Sequence, residues 1–316
     1  MAISRRKFCK KCIGAVGIAL GTSLYPLPSE AKKKKKKGIQ AKRVLIITFD
    51  GICIDGFKQA NTPNIDALMK SGAASLTTRD VMPSITLPNF TSHLTGAGPE
   101  VHGVTDNSWQ LDKHSLPAVA RDEDGYFPSV FKVLKDQVPD IKTAFYWNWE
   151  PLINPYNKKY FDETIFAEND EYIPLYEKAL SFMKEHRNDK AFIFLYTVHT
   201  DHAGHKYKWM SPEYVQSIEE GDVEVGRLIN KMKEEGIYDD THIFFLSDHG
   251  GIGNGHGGVS KEEMIVPWII EGPGIKKGFT IEEANNTVNT AATVLHLFGA
   301  EQPLCWTGEV PLSIFE

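Results

Sequence analysis

Paired acidic and imidazole side chains follow an apolar run in the last third of the chain. Asp248 and His249 directly follow the run 242–247, and His256 lies in the glycine-rich stretch 250–258. A carboxylate and an imidazole side by side at a strand end suit a metal ion better than a packed core. Glycines around a second histidine let the backbone bring another ligand close. These residues therefore predict a metal site.

More carboxylate and imidazole groups follow two other apolar runs. Asp50 follows the first such run, and Asp201 and His205 follow the run 191–198. All are oxygen or nitrogen ligands suited to zinc, and no thiolate is needed. Asp201 and His205 would share one face of a helix, although Gly204 favours a loop. One such pair is as readily a hydrogen-bonded histidine or a capping aspartate, but several pairs at strand ends predict a site for two metal ions.

A candidate nucleophile lies in a Ser/Thr-rich segment. Thr86 precedes a helix-like stretch, Phe90–Thr95, which ends at Gly96. The amide groups and the dipole at a helix N-terminus favour an anion. A hydroxyl bound to a divalent cation loses its proton near neutral pH and becomes a nucleophile. The alternative is that Thr86 merely caps the helix.

The elements that must position these groups alternate along the chain. Continuous apolar runs, typical of strands covered on both faces, occupy residues 44–49, 142–147, 191–198, 242–247 and 264–270. Pro267 weakens the last of them. Helical patterns cover residues 63–71, 127–137, 173–186, 212–235 and 286–298. The alternation predicts an α/β fold, with a mostly parallel central sheet, helices on both faces and ligands gathered at the carboxyl ends of the strands.

The N-terminal region differs from the rest of the chain. Residues 1–31 contain Arg5-Arg6 and a glycine-diluted apolar stretch that is too short for a transmembrane span. We interpret them as a twin-arginine export signal, which predicts the export machinery as a partner and a periplasmic or extracellular location; the alternative is an uncleaved amphipathic tail. Six consecutive lysines make residues 32–41 a solvated linker, which could also touch an anionic membrane. Residues 42–316 then form a single catalytic domain.

The charge and the cysteines of this domain restrict its partners and its chemistry. The chain carries a net charge of −6, and subtracting the five Lys/Arg and one Glu of residues 1–31 and the six lysines that follow leaves −16 for residues 38–316. This charge argues against binding of a nucleic-acid polymer, but not against a small phosphate ester held by metal ions.

Cys53 and Cys305 could form a disulfide, although Cys53 is more readily interpreted as a buried thiol beside the site.

A set of short motifs connects the candidate residues. In chain order they are Asp50-Gly51, Thr62–Asp66, Thr86–Asn89, Thr95-Gly96, Pro99-Glu100, His102–Asn107, Asp201-x-x-Gly-His205 and Ser247–Gly250. Their order and spacing resemble the nucleotide pyrophosphatase/phosphodiesterase branch of the alkaline phosphatase superfamily. The resemblance extends from about Val44 to Gly274 and implies a phosphoesterase with an alkaline phosphatase-like fold, which the predicted signal segment would make an exported enzyme.

The resemblance also implies roles for individual residues. One divalent ion, expected to be zinc, would be held by Asp201, His205 and His256. The other would be held by Asp50, Asp248 and His249, with Thr86 bound to it as the nucleophile. Asn107 would donate a hydrogen bond to a phosphoryl oxygen. Tyr196 matches a position that stacks on a nucleoside base, unless it is a core aromatic, and Leu87 stands at a substrate-binding position that often carries Phe.

The implied reaction is displacement at phosphorus through a phospho-threonine intermediate. No Lys or Arg lies within the motifs, and the neutral Asn107 favours a singly charged diester over a monoester dianion. His256 follows His249 by only seven residues, whereas that branch places its last metal histidine far downstream. Alternatives are a phosphomonoesterase or a phosphonate hydrolase of the same superfamily. A non-catalytic zinc- or phosphate-binding protein is the alternative from another class, although such a protein has no use for Thr86.

Overall fold

The computed structural model describes residues 40–316, in which the elements surround one eight-stranded sheet. The predicted signal segment 1–31 and nearly all of the predicted linker lie outside the described residues. The strands are β1 (Arg43–Phe49), β2 (Ala73–Arg79), β3 (Lys142–Trp147), β4 (Glu163–Phe166), β5 (Ala191–Thr197), β6 (Thr241–Leu246), β7 (Ile265–Glu271) and β8 (Phe279–Thr280). No helix within residues 40–316 combines the length and the apolarity needed to cross a bilayer.

Within residues 40–316, ten α-helices connect or flank these strands. They are α1 (Ile54–Gln59), α2 (Pro63–Ser71), α3 (Thr86–Thr95), α4 (Pro99–His102), α5 (Val130–Gln137), α6 (Ile173–Glu185), α7 (His199–Tyr207), α8 (Pro212–Glu234), α9 (Lys261–Met264) and α10 (Asn289–Phe298). Short 3₁₀ turns cover Glu150–Ile153, Lys158–Tyr160 and Leu312–Ile314. The helices predicted from periodicity are confirmed as α2, α5, α6, α8 and α10, with shifts of a few residues at some ends.

The sheet has the strand order β4-β3-β5-β1-β6-β7-β2-β8. All neighbouring pairs are parallel except the two that β7 makes with β6 and β2. The prediction of a mostly parallel sheet is therefore confirmed. In register, Phe49 of β1 lies opposite Thr197 of β5, and Thr48 lies opposite Leu246 of β6. The residues that follow these three central strands consequently meet at one edge.

Two hydrophobic cores cover the two faces of the sheet. Because successive strand residues point to opposite faces, Val44 and Ile46 of β1 enter one core while Leu45 and Ile47 enter the other. Residues of α3, α5 and α10 complete the first core, and residues of α1, α2, α6 and α8 complete the second. This arrangement confirms the prediction of helices on both faces.

Pro267 lies inside the sheet, in β7, although proline cannot donate a ladder hydrogen bond. Across from it, the register of β2 shifts: Ser75 pairs with Trp268, and Thr78 pairs with Val266. Two residues of β2 therefore oppose Pro267 as a β-bulge, where the ladder is already interrupted. The bulge explains how a strand weakened by proline still forms.

The segment around Gly204 is helical, so the expectation of a loop there was wrong. Asp201 and His205 lie one turn apart on α7, which runs from His199 to Tyr207. A Cβ atom on Gly204 would lie 2.7 Å from the indole of Trp209. Glycine is therefore needed here for close packing of the helix against Trp209, and the helix places both side chains on one face.

Candidate active site

The predicted ligands meet at the carboxyl edge of the sheet. Asp50 follows β1, Asp201 lies in the first turn of α7 behind β5, and Asp248 and His249 follow β6. All four side chains are buried. His249 Nε2 lies 3.3 Å from Asp50 Oδ1 and 3.2 Å from Asp248 Oδ2. Sequence positions about 200 residues apart thus form one cluster.

A second group adjoins the first and shares Asp201 with it. His205 Nε2 lies 3.4 Å from Asp201 Oδ2, and His256 Nε2 lies 3.6 Å from Asp201 Oδ1. Two sets have their ligand atoms within 4.8 Å of one another: Asp201, His205 and His256, and Asp50, Asp201 and His249. Asp201 therefore lies between the two groups, although the sequence analysis assigned it only to the set with His205 and His256.

Backbone hydrogen bonds determine which nitrogen each histidine presents. Nδ1 of His205 bonds to the carbonyl of Asn254 at 2.8 Å, and Nδ1 of His249 bonds to that of Gly250 at 2.7 Å. Nδ1 of His256 bonds to the carbonyl of Ser84 at 2.9 Å. Since a carbonyl can only accept, each Nδ1 carries the proton, and each neutral ring presents the lone pair of Nε2. This is the tautomer that a metal ion binds.

The atoms that face one another are nearly all acceptors. Nε2 of His205 and of His256 lie 3.2 Å apart, although neither carries a proton to share. Asp50 Oδ1, Asp201 Oδ1 and Asp248 Oδ2 are buried and have no hydrogen-bond donor among the described residues. Such lone pairs are costly to bury unless a cation lies among them. Divalent metal ions therefore fit the residues present.

Burial and mutual repulsion act on the pKa of these carboxyls. Burial, followed by the charges of Asp248 and Asp201, raises the pKa of Asp50 well above its usual range. Burial likewise raises the pKa of Asp248, with Asp201 adding to it. Burial, followed by the charge of His256, lowers the pKa of His249 well below its usual range. In the absence of a cation the carboxyls of Asp50 and Asp248 therefore retain protons more readily, whereas the His249 ring stays unprotonated. A divalent cation that binds here would displace the carboxyl protons and offset the repulsion between the carboxylates.

Gly51 lets the chain turn sharply behind Asp50. Its φ of +73° favours glycine, and a Cβ atom would lie 2.9 Å from Asp201 Oδ1. Its N–H donates to Asp248 Oδ1 at 3.1 Å. Its carbonyl accepts from Trp209 Nε1 and Tyr214 Oη, both at 2.8 Å. In this motif Asp50 is one candidate ligand, and Gly51 leaves the space that lets a second candidate ligand, Asp201, lie close to it.

Thr86 is the first residue of α3, and its hydroxyl faces the candidate metal-binding groups. Thr86 Oγ lies 3.1 Å from His249 Nε2, and the side chain is 4% exposed. The N-cap position belongs to Ile85, so Thr86 does not serve as the cap. Gly96 ends the helix in a left-handed conformation, as the sequence predicted. The geometry places a buried hydroxyl at a helix N-terminus beside the candidate ligands.

Asn107 is anchored beside Thr86 with its amide nitrogen available. Its Oδ1 accepts a hydrogen bond from the backbone N–H of Leu87 at 2.8 Å. Because that donor requires an oxygen acceptor, the orientation of the amide is defined, and Nδ2 is the group left to donate. The Leu87 N–H of the helix N-terminus is thereby occupied, and Asn107 Nδ2 takes over as a donor.

Two predicted substrate-binding residues do not line the site. Tyr196 is fully buried, and its hydroxyl donates to Asp50 Oδ2, so its ring cannot stack on a base. It is the core aromatic of the alternative interpretation, with an additional contact to a ligand. The side chain of Leu87 is also fully buried, because it points from α3 into the core shared with α5 and α10. Both substrate-binding assignments are corrected.

Several contributing residues carried no signal in the sequence. Ser84 orients His256 through its carbonyl, and its hydroxyl bridges the Gly258 carbonyl at 2.8 Å and the Gly257 N–H at 3.1 Å. Such backbone-mediated contacts depend on the fold and not on residue type.

Both Cys53 and Cys305 are free thiols, and the Cys53 thiol is buried at the N-cap of α1, just after Asp50-Gly51.

Comparison with known proteins identifies relatives of the chain. Residues 44–264 match the family model of type I phosphodiesterase/nucleotide pyrophosphatase. An uncharacterised pyrophosphatase/phosphodiesterase of Schizosaccharomyces pombe is 27% identical over 221 residues, which cover 66% of this chain and 44% of the relative. A bis(5'-adenosyl)-triphosphatase of Bos taurus is 24% identical over 222 residues, covering 66% and 47%. The chain thus spans less than half the length of these curated relatives.

Solved structures share the fold. Murine ectonucleotide pyrophosphatase/phosphodiesterase 5, as an inactive variant in complex with AMP, superposes with a TM-score of 0.74 at 15% identity, over 87% of this chain and all of that one. A phosphonate monoester hydrolase from Silicibacter pomeroyi gives a TM-score of 0.65 at 17% identity, over 86% and 76%. The fold is therefore the α/β fold of the alkaline phosphatase superfamily, and the chain belongs to the type I phosphodiesterase/nucleotide pyrophosphatase family.

Proposed function

We propose that this chain is a metal-dependent hydrolase that cleaves phosphodiester or pyrophosphate bonds with Thr86 as its nucleophile. The position of Thr86 Oγ, 3.1 Å from His249 Nε2 at the N-terminus of α3, carries the proposal. A hydroxyl beside unpaired carboxylate oxygens and unprotonated imidazole nitrogens lies where a divalent cation would bind it. The names of the curated relatives, which are pyrophosphatases, phosphodiesterases and a dinucleoside triphosphatase, support the same reaction class.

Two divalent cations, which we propose to be zinc, would occupy the two groups. Asp201, His205 and His256 would hold one, and Asp50, Asp248 and His249 would hold the other with Thr86; Asp201 lies near enough to contribute to both. Carboxylate oxygens and imidazole nitrogens without thiolates suit zinc. When bound, such ions lower the pKa of a hydroxyl or a water and offset charge on the leaving oxygen.

The residues themselves provide attack, orientation and release. The Thr86 hydroxyl releases its proton to solvent, and its oxygen attacks phosphorus opposite the leaving oxygen. The bond between phosphorus and the leaving oxygen breaks, that oxygen takes up a proton from solvent, and the phosphoryl group becomes esterified to Thr86. Asn107 Nδ2 donates to a non-bridging phosphoryl oxygen. The Asn107 amide is held in position because its Oδ1 accepts a hydrogen bond from the Leu87 N–H. Water then attacks the threonine ester from the side that the leaving group vacated, and the Thr86 hydroxyl is restored.

The electrostatic surroundings favour a singly charged phosphoryl group. The charged groups that shift the pKa of Asp50, Asp201 and Asp248 are other carboxylates and histidines. A monoester dianion would require more positive charge near phosphorus than Asn107 supplies. We therefore propose a diesterase, with a phosphomonoesterase or phosphonate hydrolase as alternatives, since the fold is shared with a phosphonate monoester hydrolase.

Turnover of two chromogenic esters tests this proposal. Zinc-loaded protein should hydrolyse bis(p-nitrophenyl) phosphate at least about tenfold more efficiently than p-nitrophenyl phosphate, because the monoester carries the extra charge. A preference for the monoester would contradict the diesterase assignment. Absence of turnover on a panel of diesters, phosphonates and monoesters, with zinc bound, would instead favour the non-catalytic metal- or phosphate-binding protein.

We also propose that the protein is exported to the periplasm or the extracellular space. The twin arginines Arg5-Arg6 and the apolar stretch behind them support this location. Replacing Arg5 and Arg6 by lysine should retain the protein in the cytoplasm, as measured by cell fractionation. Unchanged distribution of that variant would contradict the twin-arginine route.

A further inference from the structure

Exposed apolar side chains surround one side of the candidate active site. Met82 is 61% exposed, Tyr207 42%, Met210 40%, Ile252 56% and Val259 67%. Large apolar residues with this exposure are normal when they are scattered singly, but a group around a site indicates a contact surface. We call these five residues the apolar rim.

Hydrogen bonds hold the three segments of the apolar rim together. The backbone N–H of Trp209 donates to the Gly253 carbonyl at 2.8 Å, and this bond joins the segment of Tyr207 and Met210 to that of Ile252. Asn254 and His205 exchange two bonds, at 2.8 and 2.9 Å.

The Ser84 hydroxyl donates to the Gly258 carbonyl at 2.8 Å, which joins the segment of Met82 to that of Val259. The Ser84 carbonyl also holds His256. The segments that carry the rim residues are therefore joined to one another beside His205 and His256.

Unpaired positive charge accompanies the apolar rim. Lys206 and Lys208 are exposed, and neither takes part in an ion pair within residues 40–316; the Lys206 ammonium lies 4.8 Å from the Tyr207 ring centroid. Lys261, by contrast, is neutralised by Asp55 at 3.4 Å and Glu262 at 3.7 Å. These two lysines place positive charge beside the apolar rim although residues 38–316 carry −16 overall, and this local charge favours an anionic partner.

The backbone holds this segment in an unfavourable conformation. Lys208 has φ +84° and Met210 has φ +69°, in the region that favours glycine. Residues with side chains persist there only when the surrounding structure enforces it, and they concentrate at functional sites. Here this conformation leaves Lys208 exposed beside the buried Trp209, while the partly exposed Met210 also contacts the buried Cys53 thiol, with Sδ 3.6 Å from Sγ.

We propose that the apolar rim, with Lys206 and Lys208, seats the protein on an anionic lipid surface, with the active site facing the headgroups. Apolar side chains, an interfacial tyrosine and lysines are the combination that binds bilayer interfaces. The seat would supply phosphodiesters from the interface to Thr86. Binding itself requires no turnover, so this inference goes beyond the proposed reaction.

Sedimentation with vesicles tests the proposal in the full-length protein. Vesicles of phosphatidylcholine mixed with phosphatidylglycerol should retain the protein, and pure phosphatidylcholine vesicles should retain it less. Combining Met82→Ser, Ile252→Ser and Val259→Ser should weaken binding by about tenfold or more, because apolar insertion is lost. Lys206→Gln with Lys208→Gln should weaken it by about fivefold per lysine and remove the preference for phosphatidylglycerol.

Matched variants make the result decisive. Leu304→Ser with Leu312→Ser, which alters exposed leucines of the C-terminal segment away from the rim, should bind as wild type. Thr86→Ala should also bind as wild type, which separates seating from catalysis. Wild-type binding by the triple serine variant would overturn the proposal. Binding that is lost only when Lys32–Lys37 are replaced would also overturn it, and so would equal binding to both kinds of vesicle. The same holds if the rim variants bind vesicles as wild type does and only raise KM for a soluble diester with an apolar leaving group.

Discussion

Tyr196 determines which oxygen of Asp50 faces the metal-binding groups. Its hydroxyl donates to Asp50 Oδ2, while Asp50 Oδ1 accepts no hydrogen bond from any residue between 40 and 316 and lies 3.3 Å from His249 Nε2. The tyrosine ring is fully buried, so no water competes at the hydroxyl. Outer hydrogen bonds of this kind orient a ligand and tune its affinity for a metal ion.

Tyr196→Phe should therefore lower zinc affinity by about 10- to 100-fold, since only the orienting hydroxyl is removed. Competition with a chromophoric chelator measures this affinity, and excess zinc should restore turnover. Tyr156→Phe is the matched control, because that tyrosine is also fully buried but its hydroxyl lies near Thr91 and not near a carboxylate of the candidate metal site. Equal zinc affinities for the two variants would refute the orienting role.

Residue types alone predicted the candidate metal ligands, which the structure brings together, but did not predict the residues that support them. Asp50, Asp201 and Asp248 were predictable because carboxylates follow apolar runs beside histidines. The role of Tyr196 was not, because a tyrosine at the end of a strand looks the same whether it stacks on a base or donates to a ligand. Only the packing of β5 against β1 distinguishes the two.

At the scale of elements, α2 depends on a carboxylate from α8. Asp222 accepts hydrogen bonds from the backbone N–H groups of Asn64 at 3.1 Å and Ile65 at 2.8 Å, and from Asn64 Nδ2 at 2.8 Å. These amides belong to the first turn of α2, where the helix itself offers no acceptor. The motif Thr62–Asp66 is thus explained by structure rather than by catalysis.

Asp222→Ala should lower the free energy of unfolding by about 2 kcal/mol, because it leaves buried donors without an acceptor. Urea unfolding measures the change, and kcat should stay close to wild type. Glu219→Ala on the same helix removes one exposed bond, to Asn61 N–H at 2.9 Å, and should cost less than about 0.5 kcal/mol. Similar losses for the two variants would contradict this view of α2.

Asp80, just after β2, should make stability depend on pH. Burial, with repulsion by Asp248 and Glu263, raises the pKa of Asp80 from 3.8 to about 9. Both carboxyl oxygens are buried without a hydrogen-bond partner among residues 40–316. Between these pH values the folded chain retains a proton that the unfolded chain has released, so the free energy of unfolding falls as pH rises.

Asp80→Asn should remove this contribution, so that chelator-treated protein loses less stability between about pH 5 and pH 8 than wild type, by about 1 kcal/mol or more. Urea unfolding at both pH values provides the comparison. Asp136→Asn, which alters an exposed carboxylate paired with Lys132 at 2.6 Å, should follow the wild-type profile. Parallel profiles for wild type and Asp80→Asn would refute the raised pKa.

The elements that sequence analysis located are those with continuous apolar runs or clear helical periodicity. Strand β2 (AASLTTR) was not predicted because most of its residues are small or polar. In addition, its bulge opposite Pro267 interrupts the alternation of buried and exposed side chains. The segment of α7 was predicted to be a loop because glycine at position 204 lowers helix propensity. The structure shows that this glycine is needed for close contact between the helix and Trp209. In both cases tertiary contacts outweighed local preference.

At the scale of the whole molecule, the parallel sheet brings together charges that repel one another. Three central strands end at one edge and deliver Asp50, Asp201 and Asp248 to a buried volume. Without a cation, burial of these carboxyls destabilises the folded chain. Bound metal ions should therefore contribute to the stability of the entire fold.

Removal of metal with a chelator should lower Tm by roughly 5–10 °C, and added zinc should restore it. Differential scanning calorimetry measures the shift. Asp201→Asn removes the carboxylate shared by both groups, so its Tm should respond much less to the chelator. If wild-type Tm is insensitive to the chelator, the metal centre proposed here does not exist.

The most direct measurement concerns the bond between Thr86 and phosphorus. Protein quenched with acid during turnover of bis(p-nitrophenyl) phosphate should yield a peptide whose Thr86 carries the p-nitrophenyl phosphoryl group, as detected by mass spectrometry. Thr86→Ala should lack this adduct, retain its metal ions and lose turnover by about a thousandfold or more. An adduct on another residue, or Thr86→Ala turnover near the wild-type rate, would contradict Thr86 as the nucleophile.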